Sequence, residues 1–400
     1  MTDAAAAPDR TALVLTGGGA RTAYQVGVLD EILRWKADVG PVFGILCGTS
    51  AGAINAAVLA GDADNPQRGI RHLAGVWEHL RPSDIYRSDW LALYGRAAHW
   101  LAAFAFGGLA RHNPTALFDN SPLRGLLERH VNLSRVRYQI HRGSLRALAL
   151  TAASYGNGRS ISWFDGHDDI GEWARVRRCG LRTRLTLDHV MASLALPFLF
   201  PAVRVGDDWL GDGAMRDMAP LSTAIHLGAD RLLVIGTRND DTPVRQAAAE
   251  YPTLGRIGGY ILDSLFMDSV SADLERLTRM NRLLATTPSA ELVEEGRRLT
   301  PIEHLVLLPS ADLREIAAAH LHRFPAAVRH ILGRIGAFRE GSALPSYLLF
   351  DGAFCGELMD LGRHDARRRR TELEHFLRID RPEAGQDGSP RPAPSPAIER

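Results

Sequence analysis

The sequence predicts an α/β fold, a mostly parallel sheet with helices on both faces, and three observations carry that prediction. Short apolar strands alternate with helical periodicities from residue 11 to about residue 238. Two strand-to-helix joints hold glycines, Gly17-Gly18-Gly19 in one and Gly48 with Gly52 in the other. The 400-residue chain is 46% hydrophobic and 23% charged, enough to bury one large core or one core plus a smaller appended part. Alternation of this kind makes successive strands parallel, because each returns through a helix lying on the sheet.

In chain order, residues 11–16 (Thr-Ala-Leu-Val-Leu-Thr) form a short apolar strand that runs into Gly17-Gly18-Gly19. A helix follows, with Val26, Leu29, Ile32 and Leu33 at helical spacing. Residues 42–47 repeat the arrangement, feeding Gly48-Thr49-Ser50-Ala51-Gly52 and an apolar helix over 51–60. Strands over 146–154 and 159–164 are joined at the turn Gly156-Asn157-Gly158. Residues 187–194 read as a helix stopped by Pro197 and Pro201. Residues 203–205 and 209–210 flank the turn Gly206-Asp207-Asp208 as a hairpin, 221–227 are helical, and 231–235 form a buried strand. From about Tyr251 to Arg378 the pattern is mostly helical and more charged, with 302–308 as one apolar strand candidate.

Composition excludes several classes. A formal net charge of +1 predicts no nucleic-acid partner. Three widely spaced cysteines, Cys47, Cys179 and Cys355, fit a reducing compartment and offer neither a disulfide framework nor metal ligands. The first ten residues carry Asp3 and Asp9 and lack the basic-then-apolar order of a secretory signal. No apolar run reaches the roughly 20 residues of a spanning helix. The expected location is cytoplasmic, with contact to the inner face of a membrane left open.

The chemistry concentrates at the two glycine joints. Ser50 stands on a tight strand-to-helix turn, where glycines let the backbone bend and a hydroxyl is held out at the top of the sheet. A glycine-rich turn with an incidental serine gives the same five-residue string. Gly17-Gly18-Gly19-Ala20-Arg21 can present successive N–H groups to the oxygen that turns negative in acyl transfer, with Arg21 steadying the loop or neutralising that charge. A phosphate cradle is the competing reading, weakened because Thr22 breaks the dinucleotide pattern and no Gly-Lys-Ser/Thr follows. A serine nucleophile needs a base. Of fifteen histidines, His189, His226, His320, His322 and His330 fall in helical patterns. Asp212, between Gly211 and Gly213, follows a strand and can act as base if partial burial raises its proton affinity. A plain Asp-Gly turn is the structural alternative.

Taken in order, Gly17-Gly18-Gly19-Ala20-Arg21, Gly48-Thr49-Ser50-Ala51-Gly52 and Asp212-Gly213-Ala214 resemble the patatin-like phospholipase family. The stretch 220–236 after the aspartate is also similar to that family, so the resemblance covers residues 11–238. It implies a patatin-like three-layer α/β/α core and a Ser–Asp dyad, Ser50 as nucleophile and Asp212 as base. It also implies an oxyanion hole at Gly17, Gly18 and Gly19 with Arg21 at the loop end, and no metal or organic cofactor. Thr22 departs from the family, which usually has glycine after the basic residue. A second Asp-Gly-Ala, Asp351-Gly352-Ala353, follows a strand-like Tyr347-Leu348-Leu349-Phe350 but lies outside the resembling segment.

The expected organisation is a flexible N-terminus over 1–10, a patatin-like catalytic domain over 11–240, a helical C-terminal extension over 241–380 and a disordered tail over 381–400. The expected activity is a serine acyl hydrolase releasing fatty acids from lipid esters through an acyl-enzyme. A carboxylesterase or thioesterase on soluble acyl substrates, or a non-catalytic lipid-binding regulatory protein, are the alternatives. Residues 90–110 hold Trp90, Trp100, Phe104 and Phe106 and could form an interfacial lid or acyl-chain wall, or equally a buried core helix. The run Arg367-Arg368-Arg369-Arg370, beside Glu372 and Glu374, reads as a solvated helix face.

Overall fold

The computed structural model describes residues 10–36, 40–90, 95, 116–238, 251–286, 293–294, 297–339 and 341–379. The flexible N-terminus, most of the 90–110 segment and the C-terminal tail of the sequence reading lie outside these residues.

The first strand, β1 (Thr11–Leu15), is buried along its whole length and leads through a one-turn 3-10 helix, Gly19–Thr22, into α1 (Ala23–Trp35). The second, β2 (Ile45–Thr49), leads directly into α2 (Ala51–Gly61), and α3 (Pro66–Glu78) packs beside it. This strand starts at Ile45, later than the expected residue 42, where the Gly44 carbonyl takes the first bonds from the neighbouring strand, the N–H groups of Arg146 and Ala147. Then come α4 (Ser121–His130), α5 (Leu133–Arg142), and the antiparallel pair β3 (Ala147–Ser154) and β4 (Ser160–Gly166). Two short strands that sequence pattern did not reveal, β5 (Trp173–Arg175) and β6 (Arg178–Arg182), extend the sheet beyond β4. A helix, α6 (Leu187–Ser193), precedes the hairpin β7 (Val203–Val205) and β8 (Asp208–Asp212). Next are α7 (Pro220–His226) and β9 (Arg231–Ile235).

The C-terminal half adds α8 (Leu254–Asp263), a π turn at Ser264–Asp268, and α9 (Ser269–Thr286). A small separate hairpin, β10 (Val293–Glu294) with β11 (Arg297–Arg298), leads to β12 (Glu303–Leu307). Then α10 (Leu344–Leu348) and α11 (Gly352–Arg368) follow. The run 347–350, strand-like by sequence, is therefore not a strand: Tyr347 and Leu348 close a helix, and Leu349 and Phe350 follow it irregularly. It is buried throughout, so no exposed face marks its period, and Pro345 sits in the first helical turn where its missing N–H costs nothing.

The main sheet runs β12-β9-β1-β2-β3-β4-β6-β5, with β8 paired to β3 and β7. From β12 to β3 every neighbour is parallel. Side chains alternate between two cores. Leu13, Leu46, Leu233 and Ile235 face one side with α1, α2 and α3, whereas Ala12, Val14, Cys47 and Val234 face the other with α7 and α9. The result is a three-layer α/β/α sandwich. One C-terminal strand belongs to the sheet, and α11 lies on α1.

That helix contact depends on two glycines. A Cβ on Gly27 would stand 2.0 Å from the Met359 carbonyl oxygen, and one on Gly362 would stand 2.3 Å from that of Tyr24. Polar bonds clip the same seam, Tyr24 Oη to Asp365 at 3.1 Å and Arg363 to Asp30 at 2.7 Å. Replacing either glycine by alanine forces backbone against backbone. Gly362→Ala should lower unfolding free energy by about 1–3 kcal/mol in urea titration, the usual range for overpacking. Unchanged stability would mean that the helices part freely.

Candidate active site

Parallel register brings the two glycine joints together. Leu15 of β1 pairs with Gly48 of β2, so the turns that follow both strands emerge side by side at the carboxyl edge of the sheet. Ser50 adopts φ 53° and ψ −135°, a left-handed conformation that costs a side-chain-bearing residue of order 1–3 kcal/mol. Its neighbours make the turn feasible. A Cβ on Gly48 would lie 2.6 Å from Ala53 Cα, and one on Gly52 would lie 2.3 Å from the Leu15 carbonyl oxygen. Ala53 N–H donates to the Ser50 carbonyl at 2.8 Å, opening α2 at this residue.

The Ser50 hydroxyl donates to Asp212 Oδ2 at 2.5 Å. Both residues are buried, Asp212 completely. The other carboxylate oxygen accepts from Ala214 N–H at 2.9 Å, and Asp212 N–H donates to the Ala195 carbonyl at 2.8 Å. Burial pushes the carboxyl up to about 7, against the two hydrogen bonds that favour its charge. Gly213 packs on Thr151, where a Cβ would meet the carbonyl oxygen at 2.2 Å. Asp351 builds the same local cap, accepting from Ala353 N–H at 3.1 Å, yet its ion-pair partner is Arg323 at 3.3 Å. The tripeptide thus encodes a capped turn in both places, and only the first meets a serine.

The glycine loop runs against this pair. A Cβ on Gly17 would lie 2.9 Å from Ser50 Cβ and 2.4 Å from the Phe266 ring. Gly19, at φ 55°, passes so close to the Tyr347 carbonyl that a Cβ would sit at 2.3 Å. Among the described residues nothing accepts a hydrogen bond from the N–H groups of Gly17, Gly18 or Gly19. Thr22 fits without disturbance: its hydroxyl donates to the Gly19 carbonyl at 2.7 Å, and its own carbonyl accepts from Asn55 at 3.2 Å. Arg21 is turned away. Its Nε donates to Ser346 Oγ at 2.8 Å, and Nη1 donates to Tyr347 Oη at 2.8 Å and Asp263 Oδ1 at 3.0 Å. Of the two roles open to it, holding the loop is the one these contacts serve; its side chain lines a polar cleft with Asp312 and Arg314 instead of the space before Ser50.

That space is an apolar cavity of about 50 Å³, walled by Ile54, Leu194, Leu196, Phe200, Phe266 and Phe350 among others. The histidines have other work. His189 helps cap α6 and packs edge-on to Trp163 with ring centroids 4.8 Å apart, and His226 stacks on Trp173 at 4.8 Å. Among the described residues no three His, Cys, Asp or Glu side chains converge as metal ligands.

Sequence reasoning missed Ser193, Asp217 and Phe266. Ser193 Oγ accepts from Ser50 N–H at 3.0 Å. Asp217 lies behind the turn, with Thr49 Oγ1 at 3.5 Å, and burial together with Asp273 lifts its carboxyl to about 7. A serine closing a helix and an aspartate in a loop carry no distinguishing residue type; for Asp217 the nearby Asp212-Gly213-Ala214 was the only pointer.

The family model described as Patatin-like phospholipase matches residues 13–225, more than half of the chain. No curated protein matches by sequence. Among solved structures, VipD from Legionella pneumophila is 12% identical with a TM-score of 0.29, over 88% of this chain and 67% of that one. Human GIVD cytosolic phospholipase A2 is 12% identical with a TM-score of 0.43, over 93% of this chain and 60% of that one. The same human enzyme with methyl gamma-linolenyl fluorophosphonate gives 13% identity and a TM-score of 0.39, over 93% of this chain and 58% of the other. The chain therefore spans about 60% of the length of the human enzyme it matches.

The raised Asp212 carboxyl has a consequence for stability. Folded protein keeps a proton there that the unfolded chain, with an ordinary value of about 4, releases. The stabilisation from that proton is complete below about pH 4 and is lost as pH rises towards 7. Asp212→Asn removes this titration. Urea unfolding across about pH 4–8 should show a shallower decline in the variant, and not a flat one, because Asp217 contributes with the same sign. Parallel curves would contradict a carboxyl that titrates high.

Proposed function

Since the chain belongs to the patatin-like phospholipase family, a family of lipid acyl hydrolases, we propose that it cleaves lipid esters through an acyl-enzyme on Ser50, with Asp212 as the base. The observation that carries this reading is the buried 2.5 Å hydrogen bond from Ser50 to Asp212 at an apolar cavity. An ordinary carboxylate is a weak base. One raised to about 7 accepts a proton far more readily, yet is still about half ionised at neutral pH.

In the proposed cycle, Asp212 takes the Ser50 proton as Oγ attacks the ester carbonyl. The carbonyl oxygen becomes negative and is met by the N–H groups of the Gly17–Gly19 loop, with the positive end of α2 adding to the field. The intermediate collapses, the carbon–oxygen bond to the alcohol breaks, and protonated Asp212 returns its proton to the leaving oxygen. Water enters, gives a proton to Asp212 and attacks the acyl carbon. The fatty acid leaves and Ser50 recovers its hydrogen.

The cavity walls are almost wholly apolar and favour an acyl chain, each buried methylene adding about 0.8 kcal/mol. Leu254, Ile257, Tyr260 and Ile261 stand exposed on α8, the helix that leads to Phe266. That apolar face supports substrate being met at a lipid surface. No helix among the described residues is long and apolar enough to cross a membrane.

A fluorophosphonate probe tests the reading most directly. Wild type should label once, and Ser50→Ala should lose both label and ester turnover, by about 10⁴-fold or more for a nucleophile acting in one unit with its base. Undiminished turnover in Ser50→Ala would demand another nucleophile. With the wild type, kcat/KM should rise with pH through an apparent value near 7, since the base works only when ionised. Activity that stays flat from about pH 5 to 8 would remove Asp212 from that role. Comparing phospholipid vesicles with soluble p-nitrophenyl esters separates a lipid hydrolase from a general esterase.

A further inference from the structure

Residues 193–196, the end of α6 and the turn after it, touch both members of the Ser50–Asp212 pair and the cavity wall. Ser193 is completely buried. Its Oγ donates to the Thr151 carbonyl at 2.6 Å and accepts from Ser50 N–H at 3.0 Å. A hydroxyl can donate and accept at once, so it bridges a carbonyl and an N–H that are both fixed in the main chain. Two residues on, the Ala195 carbonyl accepts from Asp212 N–H at 2.8 Å. Leu194 and Leu196, alternating with these two, line the apolar cavity.

We propose that Ser193 is a positioning residue for acyl transfer, and that this turn couples filling of the cavity to the alignment of Ser50 and Asp212. Turnover, and not only affinity, then depends on acyl-chain length. The inference rests on the acyl-hydrolase reading above. Ser50 sits in a left-handed conformation that relaxes unless its neighbours hold it, and Ser193 is the side chain that grips its N–H. A misplacement of about 1 Å can cost about 100-fold in rate. An acyl chain long enough to pack on Leu194 and Leu196 steadies the turn from the cavity side, and a short chain leaves that side empty. Binding energy from the remote part of the substrate is then expressed in kcat.

The test uses p-nitrophenyl esters from acetate to palmitate with wild type, Ser193→Ala, Ser193→Thr and Leu196→Ala, each checked by thermal melting and fluorophosphonate titration. Wild-type kcat should rise with chain length. Ser193→Ala should keep its KM while kcat on palmitate falls about 10- to 100-fold and kcat on acetate falls less, flattening the series. Ser193→Thr retains a hydroxyl and should recover part of the loss. Should Ser193→Ala not fold, Leu196→Ala carries the test, with kcat lowered more on palmitate than on acetate. Wild-type kcat in Ser193→Ala, a uniform fall across all lengths, or a Leu196→Ala change confined to KM would overturn the proposal. A wild type inert to probe and esters overturns the parent reading, and this one with it.

Discussion

One edge of β3 serves two strands in succession, and the site exists because of where one stops and the other begins. Parallel β2 pairs along it up to Thr49 opposite Thr151. The next residue of β3, Ala152, pairs with Asp212 at the end of antiparallel β8. Ser50 would have continued the first ladder; instead it turns out of the sheet, and the aspartate occupies the vacated step. Two residues 162 positions apart in sequence thereby meet by backbone register alone, before any side-chain preference operates. A slip of β8 by one residue would send the carboxylate to the opposite face. The contact of Gly213 with the Thr151 carbonyl resists such a slip at the same point.

This arrangement is costly at each member. A carboxylate is buried, a serine holds a positive φ, and three consecutive glycines keep N–H groups that find no acceptor among the described residues. The compensation comes largely from the C-terminal half. Tyr347 and Phe266 close on the glycine loop, Arg21 anchors it to Ser346, Tyr347 and Asp263, and α11 clasps the helix that follows it. Residues beyond 250 are thus part of what shapes the loop. Their helices do not only cover the core.

What could be read from sequence follows a physical pattern. Tight backbone approaches leave a mark in residue type, because only glycine fits them, so both joints and Asp212-Gly213-Ala214 were visible. Alternating core strands were visible for the same reason, since burial on both faces demands an apolar run. Ser193 was not, because a hydroxyl bridging two backbone groups looks like any serine at a helix end. The run 347–350 was read as strand-like, whereas a helix ends at Leu348, because complete burial erases periodicity. The β5 and β6 edge escaped because its strands are short and partly exposed. For Arg21 the sequence left two roles open and did not reveal its direction; its acceptors, Asp263, Ser346 and Tyr347, lie more than 240 residues away.

The replacement of a histidine by an aspartate in the proposed chemistry is a statement about water. Histidine is a base near neutral pH by its own nature, whereas a carboxylate reaches that range only where solvent is kept away. Burial is the largest influence on Asp212, and the hydrogen bonds from Ser50 and Ala214 oppose it. The strength of such a base therefore belongs to the enclosure as much as to the residue. Asp212 has no exposed surface, and Phe266, Leu194 and Leu196 wall the apolar cavity before its partner Ser50. The carboxylate is thus dry before any substrate arrives, and its strength as a base is set by the fold. On this argument the strength of the base is built into the folded chain, and the apolar cavity before Ser50 is left to select the substrate.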